Sequence, residues 1–178
     1  TFLSQLLIEK TIESSYQSSI ATIWKDRVAK HQEYTAKIPF SDFKVFDFIC
    51  QNLPKNIQLQ VSNSSAIRYL QLFDLDKSIQ VFCNRGTSGI DGSTSTAIGA
   101  ASATDLPTIL ITGDISFLYD SNALWNNYIP KNFKIILLNN SGGGIFRILP
   151  GHQETETFNT YFETSHQLNA SHLAKMYG

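Results

Sequence analysis

The sequence holds only two cysteines, Cys50 and Cys83, among 178 residues. They stand apart, with no CxxC pair, which excludes a disulfide framework and favours a reducing cytoplasm. An excess of one charge is lacking too. Lys and Arg number 14 against 15 Asp and Glu, a formal net charge of -1. That balance gives no electrostatic case for nucleic acid or membrane headgroups as partners. No apolar run reaches the ~20 residues needed to cross a bilayer, and the first residues carry no signal-peptide pattern. The histidines (His31, His152, His166, His172) lie at spacings unsuited to zinc and read as surface or structural. There is no internal repeat and no low-complexity tract. What remains is ordinary globular composition, 42% hydrophobic and 16% charged. By size this is a single domain able to bury roughly 70% of its unfolded surface.

Residues 2–36 place Ile12, Tyr16, Ile20, Trp24 and Val28 four apart, the spacing of an amphipathic helix. Pro39 breaks it. Ser41 is positioned to cap a second helix with a buried stripe of Val45, Phe46, Ile49 and Leu53, ended by Pro54. Alternation follows. Strands are expected at Ile57–Val61, Ile79–Cys83, Thr108–Thr112 and Phe133–Leu138, and helices at Ala66–Phe73, Ser95–Ala103 and Phe117–Asn127. Apolar strands separated by helices imply an α/β fold, a doubly wound parallel sheet with helices on both faces. Residues 150–168 are polar and poorly periodic, and are expected to form a loop or lid. A helix-like run, Ala170–Tyr177, then meets Gly178, a pattern that usually introduces another strand. The chain is therefore expected to be a piece of a longer protein, its sheet truncated at the C-terminal end.

In open sheets of this kind ligands bind at the carboxyl ends of the strands, near a topological switch point. Each suggestive polar group falls at that edge. Asn63-Ser64 follows the first strand, Asn84-Arg85 the second, Gly113-Asp114 the third and Asn139-Asn140 the fourth. Magnesium prefers oxygen donors, with one or two from carboxylate. Asp114 supplies the charge, Asn140 a neutral side-chain oxygen, and the backbone around Gly142 a carbonyl. The amides opening the helix near Ser116 would face a phosphate. A plainer alternative stays open, in which Asp114 caps that helix and Asn139-Asn140 form a turn.

The phrases around these residues narrow the choice. Asn84-Arg85-Gly86-Thr87-Ser88-Gly89-Ile90-Asp91-Gly92, Gly113-Asp114-Ile115-Ser116-Phe117-Leu118-Tyr119-Asp120 and Asn139-Asn140-Ser141-Gly142-Gly143-Gly144-Ile145-Phe146 stand in order, with Leu149-Pro150 beyond. Gly-Asp followed by Asn-Asn resembles the magnesium-diphosphate motif of thiamine-diphosphate enzymes. Within those, the wording resembles the 2-succinyl-5-enolpyruvyl-6-hydroxy-3-cyclohexene-1-carboxylate synthases of menaquinone biosynthesis, from about residue 57 to 150 and more weakly to 178. Asn63-Ser64 with Arg68 matches a further piece. Ile115 departs from the generic pattern, which has glycine there; an aliphatic residue is tolerated in the synthases.

The resemblance implies a thiamine-diphosphate-binding fold over residues 39–178, the diphosphate half, with 1–38 a helical linker or the end of a preceding domain. It implies thiamine diphosphate and Mg²⁺ as cofactors, with Mn²⁺ as the alternative ion. Asp114, Asn140 and the Gly142 carbonyl would hold the metal. Gly113, Ser116 and Gly143 would join them around the diphosphate, and Ile90 would be the apolar wedge beneath the bent cofactor. Ser64, Arg68 and Arg85 would take substrate carboxylates, Arg by paired donors, and Ile145 and Phe146 would line the apolar side of the acceptor. Arg147 has no assigned part and reads as a solvated charge. The implied reaction is a transfer: 2-oxoglutarate loses carbon dioxide and its four-carbon unit joins isochorismate. The full-length protein would be a homodimer or homotetramer. None of Glu9, Glu13, Glu33, Glu154, Glu156 or Glu163 lies in a motif like that of the glutamate that activates the cofactor. No catalytic residue is therefore expected in this chain, and the chain alone is expected to be inactive. The rivals are another thiamine enzyme, of acetohydroxyacid synthase or 2-oxo-acid decarboxylase type, and a non-catalytic nucleotide-binding module.

Overall fold

The computed structural model describes residues 15–151 and 153–177. The chain divides into two compact units, Thr1–Ile38 and Pro39–Gly178. In the first, the expected helix is present as α1 (Ser15–Lys37); the part before it, with Ile12, lies outside the described residues. Its exposed Lys37–Glu33 pair, 2.6 Å apart at helical spacing, contributes about 0.3–0.5 kcal/mol at most.

The second unit is built on four parallel strands, β1 (Gln58–Val61), β2 (Gln80–Cys83), β3 (Thr108–Gly113) and β4 (Phe133–Leu138), in the order β2-β1-β3-β4. The chain runs outward from β1 to β2, then crosses back to β3 on the other side. The switch point therefore lies between β1 and β3. Register brings Val61 beside Ile111 and Gly113 beside Leu138, so the carboxyl tips of β1, β3 and β4 are neighbours. β1 and β3 are buried almost throughout, as central parallel strands must be.

One face of the sheet packs on α2 (Asp42–Asn52) and α3 (Ser65–Leu70). Phe46, Ile49, Ala66, Ile67 and Leu70 meet Leu59, Val61, Ile109 and Ile111 in one cluster. Phe46 is fully buried and stacks on Tyr69, ring centroids 5.5 Å apart. The opposite face carries Gln58, Gln60, Thr108, Leu110 and Thr112, by the two-residue period of a strand. There α4 (Ser93–Ser102), with Ala97, Ile98 and Ala101 buried, contacts β1 and β3. Both faces are covered, as expected from the sequence. Burial, and then the charge of Asp47, push the Cys50 thiol up to about 12. Burial raises Cys83 as well, against the opposing charge of Arg85. Both cysteines are thiols at neutral pH and pack against the core.

Three expectations are corrected. The single helix at Phe117–Asn127 is two pieces, α5 (Asp114–Tyr119) and a 3-10 turn at Ser121–Trp125. The break falls at Asp120, whose buried carboxylate accepts from both the backbone N–H (2.6 Å) and the hydroxyl of Ser95. It thereby caps α4 from another element. Ser41 occupies the cap position of α2, but its hydroxyl makes no cap bond and is buried without a partner. Residues 150–168 are not a bare loop. α6 (Ile145–Ile148) leads into them, a wide helical turn forms at Phe158–Phe162, and Phe158 and Glu163 are buried. α7 (Ser171–Tyr177) follows.

Candidate functional site

A cavity of about 480 Å³ opens at the carboxyl edge of the sheet, across the switch point. That is the size range of small-molecule sites. It is walled by the turn after β1 and the start of α3 (63–66), the glycine-bearing loop before α4 (88–91), the end of β3 and start of α5 (113–116), the turn after β4 with the start of α6 (Asn140 and 142–146) and the segment 161–164.

Asp114 is buried at 4% exposure. One carboxylate oxygen accepts from Ile115 N at 2.7 Å and the other from Gly142 N at 3.0 Å. The second bond joins the tips of β3 and β4 directly, so Asp114 is more than a cap on its own helix. His166 comes within 3.2 Å of the same oxygen through Nε2, with a side chain 10% exposed. Leu168 N donates to its Nδ1, which leaves the ring proton on Nε2 in the neutral form. The approach is not aligned as a hydrogen bond, and Nε2 is otherwise unpartnered. Of the two roles its spacing left open, surface or structural, His166 takes the structural one. His152 lies outside the described residues.

Asn139 and Asn140 take different roles. Asn139 makes a side-chain turn, accepting from Ser141 N at 3.2 Å, and donates to Leu168 O at 3.0 Å. Asn140 donates through Nδ2 to Asp42 at 2.8 Å, which leaves its side-chain oxygen as the free acceptor. Asp42 opens α2, 98 residues away in the chain, and nothing in its sequence context marks it as part of the site. Holding the carboxamide nitrogen orients the oxygen, as outer-shell partners of ligands do. Asp42→Ala is expected to weaken magnesium-dependent ligand binding roughly tenfold, read by calorimetry at fixed magnesium; an unchanged affinity would show that Asn140 needs no such support.

The glycine turn must be glycine for steric reasons at Gly142. Its φ is +154°, and a Cβ there would sit 2.9 Å from the carbonyl oxygen of Glu163. Gly143 N donates to that carbonyl at 2.6 Å, and Gly142 O accepts from Gly144 N at 3.0 Å. Backbone strain gathers in the same place. Among the described residues, five non-glycine positions have left-handed φ. Ser64, Ser88 and Thr164 line this cavity, and Ser141 opens the turn beside it. Such conformations cost about 1–3 kcal/mol each and persist where the surroundings overdetermine them, commonly at functional sites.

The other expected site residues fall in two groups. Ser64, Ile90, Gly113, Ser116, Gly143, Ile145 and Phe146 all line the cavity with Asp114, Asn140 and Gly142. Ser116 donates its hydroxyl to Ile90 O, tying the glycine-bearing loop to the start of α5. Arg68 and Arg85 are exposed and do not line it. Each instead holds a residue that does. Arg68 donates to Ser64 O at 3.2 Å, and Arg85 to the side-chain oxygen of buried Asn63 at 2.6 Å. Asn63 in turn donates to Ser88 O, so the tips of β1 and β2 are tied together.

Among the described residues no cluster of three or more His, Cys, Asp or Glu is arranged to hold a metal. The donors gathered here are of another kind: one carboxylate, one carboxamide oxygen and a main-chain carbonyl. All are hard oxygens, and the set fits Mg²⁺ rather than a softer ion. The close-packed glycine turn leaves backbone, not side chains, facing the space beside them. These residues fit a metal-bound diphosphate.

Comparison with known proteins bears on whose site this is. The family described as thiamine pyrophosphate enzyme, C-terminal TPP binding domain, matches residues 63–178. The chain belongs to this family. As a thiamine pyrophosphate enzyme domain it is 69% identical over 173 residues to the 2-succinyl-5-enolpyruvyl-6-hydroxy-3-cyclohexene-1-carboxylate synthase of Flavobacterium johnsoniae, covering 96% of this chain and 31% of that protein. The enzyme of the same name from Flavobacterium psychrophilum is 72% identical over 167 residues, covering 94% of this chain and 30% of its own length. The chain thus spans about a third of the relatives it matches. A thiamine diphosphate-dependent 4-hydroxybenzoylformate decarboxylase from Rhodococcus jostii shares the fold, with a TM-score of 0.53 and 23% identity over 79% of this chain and 28% of that one. No helix among the described residues is long and apolar enough to cross a membrane.

Proposed function

We propose that this domain supplies the diphosphate and metal half of the active site of a 2-succinyl-5-enolpyruvyl-6-hydroxy-3-cyclohexene-1-carboxylate synthase. The observation that carries this reading is the bond from Gly142 N to the Asp114 carboxylate across adjacent strand tips, in a chain so similar to enzymes of that name. Asp114, the Asn140 side-chain oxygen and the Gly142 carbonyl hold Mg²⁺, with Mn²⁺ able to replace it. Gly113, Ser116 and Gly143 bring backbone close to the diphosphate, and Ile90 supports the cofactor from below. Thiamine diphosphate, when bound, supplies the electron sink that lets 2-oxoglutarate lose carbon dioxide and pass its remaining four-carbon unit to isochorismate, a step of menaquinone biosynthesis. The chain's own residues bind and orient. Ser64 meets a substrate carboxylate, with Arg68 and Arg85 swinging in from the rim as guanidinium partners. Ile145 and Phe146 exclude water on the acceptor side. The working enzyme is a cytoplasmic transferase, a homodimer or homotetramer.

Ile115, in the cavity wall, supports this reading over a generic decarboxylase, which would carry glycine there. Calorimetry with thiamine diphosphate, with and without magnesium, tests the domain directly. A magnesium-dependent signal is expected; a preference for adenine nucleotides, or indifference to metal, would favour a nucleotide-binding module. In the full-length enzyme 2-oxoglutarate should be consumed in preference to pyruvate. This chain by itself should turn over neither, and robust product formation from it would refute the assignment of the activating glutamate to another domain.

A further inference from the structure

We propose that Arg147 is a positioning residue of the site, acting through Glu163 as a clamp on the glycine turn. The inference rests on the reading of Asp114, Asn140 and Gly142 given above. Arg147 sits on α6, four residues after Gly143. Its guanidinium grips Glu163 with two parallel bonds, Nε to one carboxylate oxygen and Nη2 to the other, while Nη1 reaches Glu154. Paired donors of this kind fix geometry as well as charge. The Glu163 side chain is 11% exposed and also accepts from the Ser165 hydroxyl at 3.1 Å. Little solvent screens it. The Arg147 guanidinium further lies 5.8 Å over the Phe158 ring.

The main chain of Glu163 does the positioning. Its carbonyl accepts from Gly143 N at 2.6 Å and lies against Gly142, where a Cβ would come within 2.9 Å. The two contacts close a ring: Gly143 to Glu163 through backbone, Glu163 to Arg147 through side chains, and Arg147 back to Gly143 along the chain. Ile145 and Phe146 lie inside that ring, and Phe146 meets Phe162 edge-on at 6.0 Å. One side chain thus fixes the backbone proposed to face metal and diphosphate, and also the apolar wall proposed for the acceptor. A solvated charge, the role its sequence context suggests, would do neither.

Amide exchange and calorimetry on the wild type, Arg147→Met, Arg147→Lys and Glu163→Gln test this. Methionine keeps an apolar stem and removes the fork. In Arg147→Met the amides of Gly143 and His166, bonded to Glu163 O and Ser141 O, should exchange at least ~10-fold faster while those of β1 and β3 keep their protection. The dissociation constant for thiamine diphosphate at fixed magnesium should rise ~10-fold or more, as for an outer-shell support. Arg147→Lys keeps the charge but not the paired donors, and should recover less than half of the loss. Should Arg147→Met lose protection across the whole sheet, Glu163→Gln, which preserves volume and weakens the fork, gives the same two readouts in a folded protein. Equal affinity in wild type and variants, or full recovery by lysine, would overturn the clamp alone. A wild type that ignores thiamine diphosphate would instead overturn the proposed function, and with it the cofactor half of this inference.

Discussion

Asp114→Ala is expected to remove the magnesium-dependent part of thiamine diphosphate binding, a loss of at least ~100-fold, above the 10–100-fold range of outer-shell changes. Of the three proposed donors only Asp114 carries a charge. It is 4% exposed, so its attraction for a divalent ion is screened far less than at the surface. Alanine also leaves Gly142 N without its acceptor, freeing the turn on the second strand tip. Both effects point the same way. Asp114→Asn separates them, because it retains an oxygen for Gly142 while losing the charge. Its binding should fall nearly as far, with a melting temperature within a few degrees of wild type. Calorimetry with excess magnesium and with chelator reads the effect. If either variant kept the wild-type magnesium dependence, the metal would have to sit elsewhere.

Phe46→Ala should destabilise the domain by about 3–5 kcal/mol, the usual cost of emptying an aromatic core site. Total stabilities are only about 5–15 kcal/mol, so this is a large share. Phe46 has no exposed surface, stacks on Tyr69 and lies at the centre of the cluster joining α2 and α3 to β1 and β3. A cavity there cannot collapse without moving both helices. Phe48, two residues along the same helix and 68% exposed, is the control, and its alanine variant should fall within about 0.5 kcal/mol of wild type. Denaturant midpoints for the two variants make the comparison, and similar midpoints would show that α2 is not anchored through Phe46. The loss should also reach the site, since α2 carries Asp42 and hence the bond to Asn140.

Much of this architecture was legible because the signals were local. Four short apolar runs bounded by turn residues became the four strands. Asn63-Ser64, Gly113-Asp114 and Asn140, at three of the strand tips, became the wall of one cavity, since parallel strands all present their carboxyl ends to the same edge; Asn84 and Arg85, after the edge strand β2, stay outside it. Legibility failed where a side chain acts at long range. Asp120 ends α5 by capping α4, and a helical period running through Phe117–Asn127 carries no trace of that. Residues 150–168 look unstructured by composition, yet Phe158 and Glu163 are buried through contacts with α6. His166 lacks a ligand-like neighbour in sequence and still comes to rest beside Asp114.

From the sequence alone come the doubly wound parallel sheet, the strand-tip position of its polar residues and the oxygen-rich donor types suited to magnesium. These follow from periodicity and residue chemistry, which act within a few positions of the chain. Tertiary structure alone decided that β1 and β3 flank the switch point, and that Gly142 N lies on Asp114. It also decided that Asp42 aims the Asn140 carboxamide, and that Arg147 grips Glu163 rather than water. Each of those is a contact between distant segments, whose partners are chosen by packing and by the need of buried polar groups for hydrogen bonds, and no local pattern encodes that choice.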